Sequence, residues 1–230
     1  MAVAPSKRYV AIAERGEKPI AAIYDLHTLR RRKALTPAET ESKDFVCMAF
    51  STDGKYILTQ SGAPDWTLYY WTWEKTKLMA SVKTANIPGE RFITSNTQSA
   101  PPPSNNSQAG GTTAGKENLL GSVVYQVSFN PNDNSQICVI GNGIFKMFRY
   151  AEGSLKPFLF QKFEARNFLC HCWTADERIV IGTDDSRILI CEANGELKNE
   201  IAFFNDTPPR PCQTSSASIK GLSLVEGVED

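Results

Sequence analysis

Three segments of the chain repeat one pattern, and this repeat restricts the possible folds more than any other feature. In each segment an apolar run ends in an aromatic residue, a polar turn that contains Asp follows, and a second apolar run comes next. Asn and Asp side chains bond their own backbone and favour the tight geometry of a hairpin connection. We therefore predict three β-hairpins, over residues 45–59, 124–140 and 169–181.

Two further short strands follow each hairpin, so the repeating unit contains four strands. Four strands joined by hairpins form one blade of a β-propeller. Phe129 and Trp173 lie 44 positions apart, which matches the ~40–45-residue period of WD40 repeats. The sequence therefore predicts an all-β fold, a WD40-type β-propeller segment with three complete four-stranded blades plus partial blades at both ends. The additional strands are expected at 67–73, 78–82, 144–150, 155–160, 187–191 and 197–203.

The chain begins and ends inside this repeat. Residues 8–13, 20–24 and 29–35 are typical of the second, third and fourth strands of a blade whose first strand is missing, and residues 218–225 resemble a lone first strand. A ring of seven blades needs about 290 residues at the WD40 period, so we expect the chain to be a fragment of a propeller. The expected domains are residues 1–93, with a partial first blade and one complete blade, and residues 119–230, with two complete blades and the start of another.

A stretch of low complexity, residues 94–118, separates these two parts. It is rich in Ser, Thr, Asn, Gln, Pro and Gly and contains no Val, Leu or Trp. Such a stretch cannot bury enough apolar surface to offset the entropy lost on ordering. We expect it to be a disordered insertion between two blades.

The charge balance excludes several classes of partner. Lys plus Arg total 25 and Asp plus Glu total 25, so the formal net charge is zero. A nucleic-acid-binding protein usually has a marked basic excess or a basic face, and a neutral chain has no general attraction to an anionic membrane. No apolar run approaches the ~20 residues of a membrane-spanning helix. We expect no nucleic acid and no membrane among the partners.

The sequence offers no catalytic group, cofactor site or metal site. Gly110–Glu117 nearly matches a phosphate-binding loop, but Glu117 occupies the hydroxyl position and the strand and helix that the loop requires are missing. In Cys170-His171-Cys172, strand alternation places the two thiols on one face and the imidazole on the other, so packing is favoured over zinc binding. We expect a protein that is not an enzyme, with no small-molecule substrate.

Two clusters of side chains allow more than one interpretation. The basic run Arg30, Arg31, Arg32 and Lys33 is either a docking patch for an acidic partner or an exposed outer strand whose charges protect a sheet edge, and the second interpretation is favoured. Among the aromatic residues, Tyr69, Trp71 and Trp73 alternate with Tyr70. We expect these rings to occupy both faces of a strand and to pack between neighbouring blades.

Nine short segments resemble the N-terminal WD40 region of one axonemal family, that of cilia- and flagella-associated protein 57. They occur in order from about residue 8 to residue 203, interrupted by the low-complexity stretch. The chain lacks the Gly-His and Trp-Asp dipeptides of the common WD40 repeat, so the resemblance is specific to this family. The segments are 11–14, 17–20, 23–26, 48–51, 70–75, 124–129, 141–143, 148–153 and 181–184.

The resemblance implies a non-enzymatic scaffold or adaptor of the motile ciliary axoneme. It implies localisation to the cilium or flagellum, cytoplasm and cytoskeleton, and partners among axonemal proteins, inner-arm dynein and complexes associated with doublet microtubules. Two alternatives stay open: a WD40 adaptor of another cytosolic protein complex, and a hydrolase carried on a propeller.

Overall fold

The computed structural model describes residues 1–85, 123–159 and 166–202. These residues form four antiparallel sheets of four strands each, and in every sheet the strands lie side by side in chain order. The predicted all-β propeller architecture is thereby confirmed. The only helical element in these ranges is a 3-10 turn at Trp73–Lys75. No helix in the described ranges is long and apolar enough to cross a membrane.

Each sheet is one blade. Blade 1 contains β1 (Ala2–Val3), β2 (Tyr9–Glu14), β3 (Ile20–Asp25) and β4 (Arg30–Leu35). Blade 2 contains β5 (Phe45–Phe50), β6 (Tyr56–Ser61), β7 (Thr67–Thr72) and β8 (Lys77–Lys83). Blade 3 contains β9 (Val124–Phe129), β10 (Gln136–Gly141), β11 (Ile144–Ala151) and β12 (Ser154–Pro157). Blade 4 contains β13 (Phe168–Trp173), β14 (Ile179–Thr183), β15 (Arg187–Cys191) and β16 (Leu197–Ala202).

The first strand of each blade is the innermost one. Successive first strands contact each other, β1 with β5, β5 with β9 and β9 with β13, so they surround a common axis. The fourth strand of each blade lies at the opposite edge of its sheet. The edge formed by the fourth strands therefore points away from the axis of the propeller.

The hydrophobic core lies between blades. Strand alternation sends Tyr69, Trp71 and Trp73 into the cluster shared with blade 1, whereas Tyr70 packs into the cluster shared with blade 3. The Tyr70 ring stacks on Tyr150 of blade 3 with the ring centroids 4.6 Å apart. The predicted division of these aromatic rings between two faces is confirmed, and the rings hold adjacent blades together.

The prediction that blade 1 lacks its first strand was wrong. Residues Ala2 and Val3 pair with Ala11 and Val10 of β2, and the Ala4 amide donates to the Tyr9 carbonyl at 2.8 Å. A strand of two residues has no periodicity that a sequence pattern could detect, and only its pairing with β2 defines it. Blade 3 also differs from expectation, because β12 ends at Pro157 rather than residue 160. The predicted insertion at 94–118 and the predicted strand at 218–225 lie outside the described residues.

Candidate protein-docking surface

A buried carboxylate fixes the turn between β3 and β4 in blade 1. The Asp25 side chain is only 1% exposed and accepts hydrogen bonds from the backbone amides of His27 at 2.9 Å and Thr28 at 3.1 Å. Arg8 donates to its other oxygen through Nε at 3.1 Å. Burial acts to raise the pKa of Asp25, but the bonds from Thr28, His27 and Arg8 outweigh it and hold that pKa below the ordinary value. The turn is therefore anchored by an ionised group.

This anchored turn presents apolar side chains to solvent at the start of β4. Leu29 adopts a left-handed backbone conformation with φ of 55°, and its side chain is 78% exposed. Leu26, at the other end of the turn, is 45% exposed. No pattern in the sequence marks either leucine, although an Asp followed by a polar turn is a recognised signal for this kind of local bonding.

The basic strand, which we define as Arg30, Arg31, Arg32 and Lys33, forms most of β4. Arg30, Arg31 and Arg32 are exposed and Lys33 is half-buried. Arg31 pairs with Tyr24 and Lys33 pairs with Ile23, and the register shifts at this point so that Arg32 forms a bulge. Because Ile23 belongs to the cluster facing blade 2, Lys33 lies on that face and Arg31 on the opposite one. The positive charges thus lie on both faces of the blade 1 sheet and at its outer edge.

None of the four cations has an anionic partner in the part of the chain that the structure describes. No carboxylate oxygen there lies within 4.0 Å of their side-chain nitrogens. Five arginines outside the basic strand do form ion pairs with Asp or Glu. These are Arg8, Arg149, Arg166, Arg178 and Arg187. The basic strand therefore differs from most other arginines of the described residues, which form ion pairs with carboxylates.

Glu14, an acidic residue on the same blade as the basic strand, is engaged in a bond outside that strand. Glu14 at the end of β2 accepts a hydrogen bond from the Tyr24 hydroxyl at 3.1 Å. This bond and partial burial raise the pKa of Tyr24, whereas the nearby charge of Arg31 acts to lower it. Glu14 is thus bonded to Tyr24 and forms no ion pair with Arg31.

A groove of about 650 Å³ lies between the connection from blade 1 to blade 2 and the outer part of blade 2. Its polar wall is held by Asp65, which accepts hydrogen bonds from the Thr40 hydroxyl and the Glu41 amide, both at 2.7 Å. The bond from Thr40 is the main cause that lowers the pKa of Asp65. Since these bonds fix the connecting segment to blade 2, we assign the groove to the linkage of blades rather than to ligand binding.

The Cys170-His171-Cys172 segment has the predicted arrangement in β13. Cys170 pairs with Gly182 and Cys172 with Val180, whereas His171 pairs with Ile181 on the other face. The His171 Nε2 lies 2.5 Å from the Ser128 hydroxyl of blade 3, and Trp173 Nε1 donates to the same hydroxyl at 2.8 Å. Burial lowers the pKa of His171 to about 3. This imidazole joins two blades and stays neutral at physiological pH.

The thiols of Cys47 and Cys191 are poor nucleophiles. Burial raises the pKa of Cys47 and of Cys191 to about 12 in each case, so both remain protonated at neutral pH, and only a thiolate attacks or binds metal efficiently. In the described ranges, no group of three or more His, Cys, Asp or Glu side chains is placed to bind a metal ion.

Among the surfaces described above, the basic strand and the adjacent leucine turn have the clearest features of a binding site.

Comparison with solved structures identifies the fold. The β-propeller domain of Cps50 (Swd1) from Myceliophteria thermophila superimposes with a TM-score of 0.56 over 88% of this chain and 56% of that chain, at 14% identity. Sqt1 of Saccharomyces cerevisiae gives a TM-score of 0.59 over 87% of this chain and 47% of that chain, at 11% identity. At such low identities these matches indicate a shared propeller fold and nothing about partners.

Comparison with curated proteins is more specific, although no family model matches the chain. Cilia- and flagella-associated protein 57 of Mus musculus is 37% identical over 231 residues, which cover 99% of this chain and 15% of that protein. Cilia- and flagella-associated protein 57 C of Tetrahymena thermophila is 29% identical over 67% of this chain and 10% of its own length. Cilia- and flagella-associated protein 44 of Mus musculus is 22% identical over 98% of this chain and 10% of its own length.

The chain therefore spans only about 15% of the mouse relative, but the match includes all four blades. Identity of 37% over 99% of the chain, together with the propeller fold, confirms the resemblance that the sequence segments indicated. Over this length the chain belongs to the family of cilia- and flagella-associated protein 57, as a WD40 β-propeller segment.

Proposed function

We propose that this chain is part of a non-enzymatic scaffold of the motile ciliary axoneme, located in the cilium or flagellum and associated with the cytoskeleton. The observation that carries the proposal is the 37% identity to a cilia- and flagella-associated protein along 99% of the chain. Propellers act through side chains on their rims, loops and outer edges, which are held rigidly by the sheets. The relatives favour this role over an adaptor of another cytosolic complex.

The finer proposal is that the propeller helps to dock inner-arm dynein and its regulators onto the doublet microtubules. The basic strand of blade 1 is the docking surface, because it carries four exposed or half-exposed cations without carboxylate partners in the described residues. The residues we assign to docking are Arg30, Arg31, Arg32 and Lys33. An enzymatic role has less support, since buried His171 and the protonated thiols of Cys47 and Cys191 are unsuited to acid–base or nucleophilic chemistry at neutral pH.

The test uses the complete protein that contains this chain, tagged and expressed in a ciliated cell that lacks the endogenous copy. We expect the wild type to localise along the axoneme and to remain with axonemes after detergent extraction. Replacing all four residues of the basic strand with Ser or Thr should reduce retention on axonemes without reducing the amount of soluble protein. Diffuse cytoplasmic wild-type protein that is absent from isolated axonemes would refute the ciliary role, and full retention of the variant would refute docking through the basic strand.

A further inference from the structure

We propose that the outer edge of β4 binds an extended acidic peptide segment of a partner, which adds to blade 1 as a fifth strand. The inference rests on the proposed docking role of the basic strand and specifies both the class of partner and the mode of binding. An extended peptide that joins an open sheet edge gains affinity from backbone hydrogen bonds and specificity from its side chains. Three features of blade 1 support this mode.

The first feature is the open edge. β4 pairs with β3 alone, and no other strand of the described ranges borders it. An unpaired strand edge presents backbone N–H and C=O groups that can pair with another chain. The edge of a fourth strand points away from the propeller axis, so further blades of a ring would cover the faces of blade 1 and leave this edge open.

The second feature is charge, and the other outer strands show how unusual it is. β8 has single lysines at its two ends, and Lys156 in β12 and Lys198 in β16 each pair with a glutamate. A single lysine or a proline is enough to keep an edge from aggregating. The basic strand has four consecutive cations, and neighbouring like charges repel and cost stability. An acidic strand placed beside them would convert this repulsion into attraction.

The third feature is the leucine turn next to the edge. The bonds to Asp25 hold the turn rigid, and they keep Leu29 78% exposed immediately before Arg30. An apolar residue at one end of the acidic peptide could pack on Leu29 and Leu26 without any rearrangement of the turn. The site therefore favours a peptide with acidic residues followed or preceded by an apolar one.

The experiment measures binding of a fluorescent peptide of alternating Glu and Val to the purified full chain by anisotropy. We expect saturable binding that weakens as salt is raised, because exposed charges are screened. The double variant Arg31→Thr/Arg32→Thr should bind about tenfold more weakly, as expected for the loss of two cross-strand charge pairs. The matched control Lys77→Thr/Lys83→Thr removes two exposed cations from the outer strand of blade 2 and should bind the peptide as the wild type does.

Backbone pairing is tested with the same peptide carrying an N-methyl group on every residue. N-methylation leaves the charge unchanged and removes the amide donors along both edges of the peptide, so we expect binding to be lost. Equal binding of the methylated peptide would overturn strand addition, and equal weakening by both double variants would overturn the assignment to β4. If the purified chain binds the peptide but the complete protein is absent from axonemes, only the ciliary function is refuted. Failure to bind the peptide despite axonemal localisation would refute only this inference.

Discussion

Acidification is expected to destabilise the fold through His171, the imidazole that joins blades 3 and 4. Its side chain is 1% exposed, and a hydrogen bond of 2.5 Å joins its Nε2 to the Ser128 hydroxyl. Its Nδ1 has no hydrogen-bond partner among the described residues. Protonation would bury a charge and would make both ring nitrogens donors, with no acceptor for Nδ1 among the described residues. Burial is the cause of the low pKa, about 3 compared with the usual 6.5.

The sign and size of the effect follow from proton linkage. Between about pH 6.5 and pH 3 the unfolded chain binds a proton at this histidine and the folded chain does not. The free energy of unfolding therefore falls as the pH falls, by about 1.4 kcal/mol for each unit well below 6.5. From pH 7 to pH 5 the loss amounts to about 2 kcal/mol. This window avoids the range below pH 5 in which carboxylates titrate.

The assay is urea denaturation followed by tryptophan fluorescence at pH 7 and pH 5, on the wild type and on His171→Gln. The variant cannot be protonated in this range, so its stability should change by about 2 kcal/mol less than that of the wild type. The chain has only two histidines, and His27 is exposed, which makes His27→Gln a matched control with the wild-type response. A wild type equally stable at both pH values, or a His171→Gln variant that loses as much as the wild type, would refute the reasoning.

Three further predictions concern the packing of Tyr70, the turn held by Asp25 and the low-complexity stretch. Tyr70→Ala should lower the free energy of unfolding by about 4 kcal/mol, because it removes the aromatic contact between blades 2 and 3. Tyr70→Phe should lower it by about 1 kcal/mol through loss of the hydrogen bond to the Asn134 carbonyl. Both are measured by urea denaturation, with the substitution of exposed Tyr125→Ala as the control. Asp25→Ala should speed hydrogen exchange at the Thr28 amide, measured by mass spectrometry, since that amide loses its acceptor. Deleting residues 94–118 should leave the midpoint of thermal unfolding nearly unchanged, because the entropic cost of closing an insertion grows only slowly with its length. A large drop would show that the segment packs.

Much of the fold could be predicted because it depends on local sequence patterns. The alternation of Tyr69, Tyr70 and Trp71 predicts which ring faces which neighbouring blade, since successive side chains of a strand point to opposite faces. The same rule places the two thiols of the Cys170 segment apart from His171. The basic run could be recognised as an outer strand, and β4 has that position. Its role in docking stays a prediction.

The sequence by itself determined the strands, their hairpins and the faces of their side chains, because each depends on residues within one repeat. Tertiary structure decided the features that depend on partners distant in the chain. Pairing with β2 makes Ala2 and Val3 a strand. Packing against the preceding blade buries the imidazole of His171 beside Ser128, and this burial lowers its pKa. The basic strand lacks carboxylate partners among the described residues because folding commits Glu14 and Asp25 to other bonds, and no local pattern can specify which distant side chain fills a given contact.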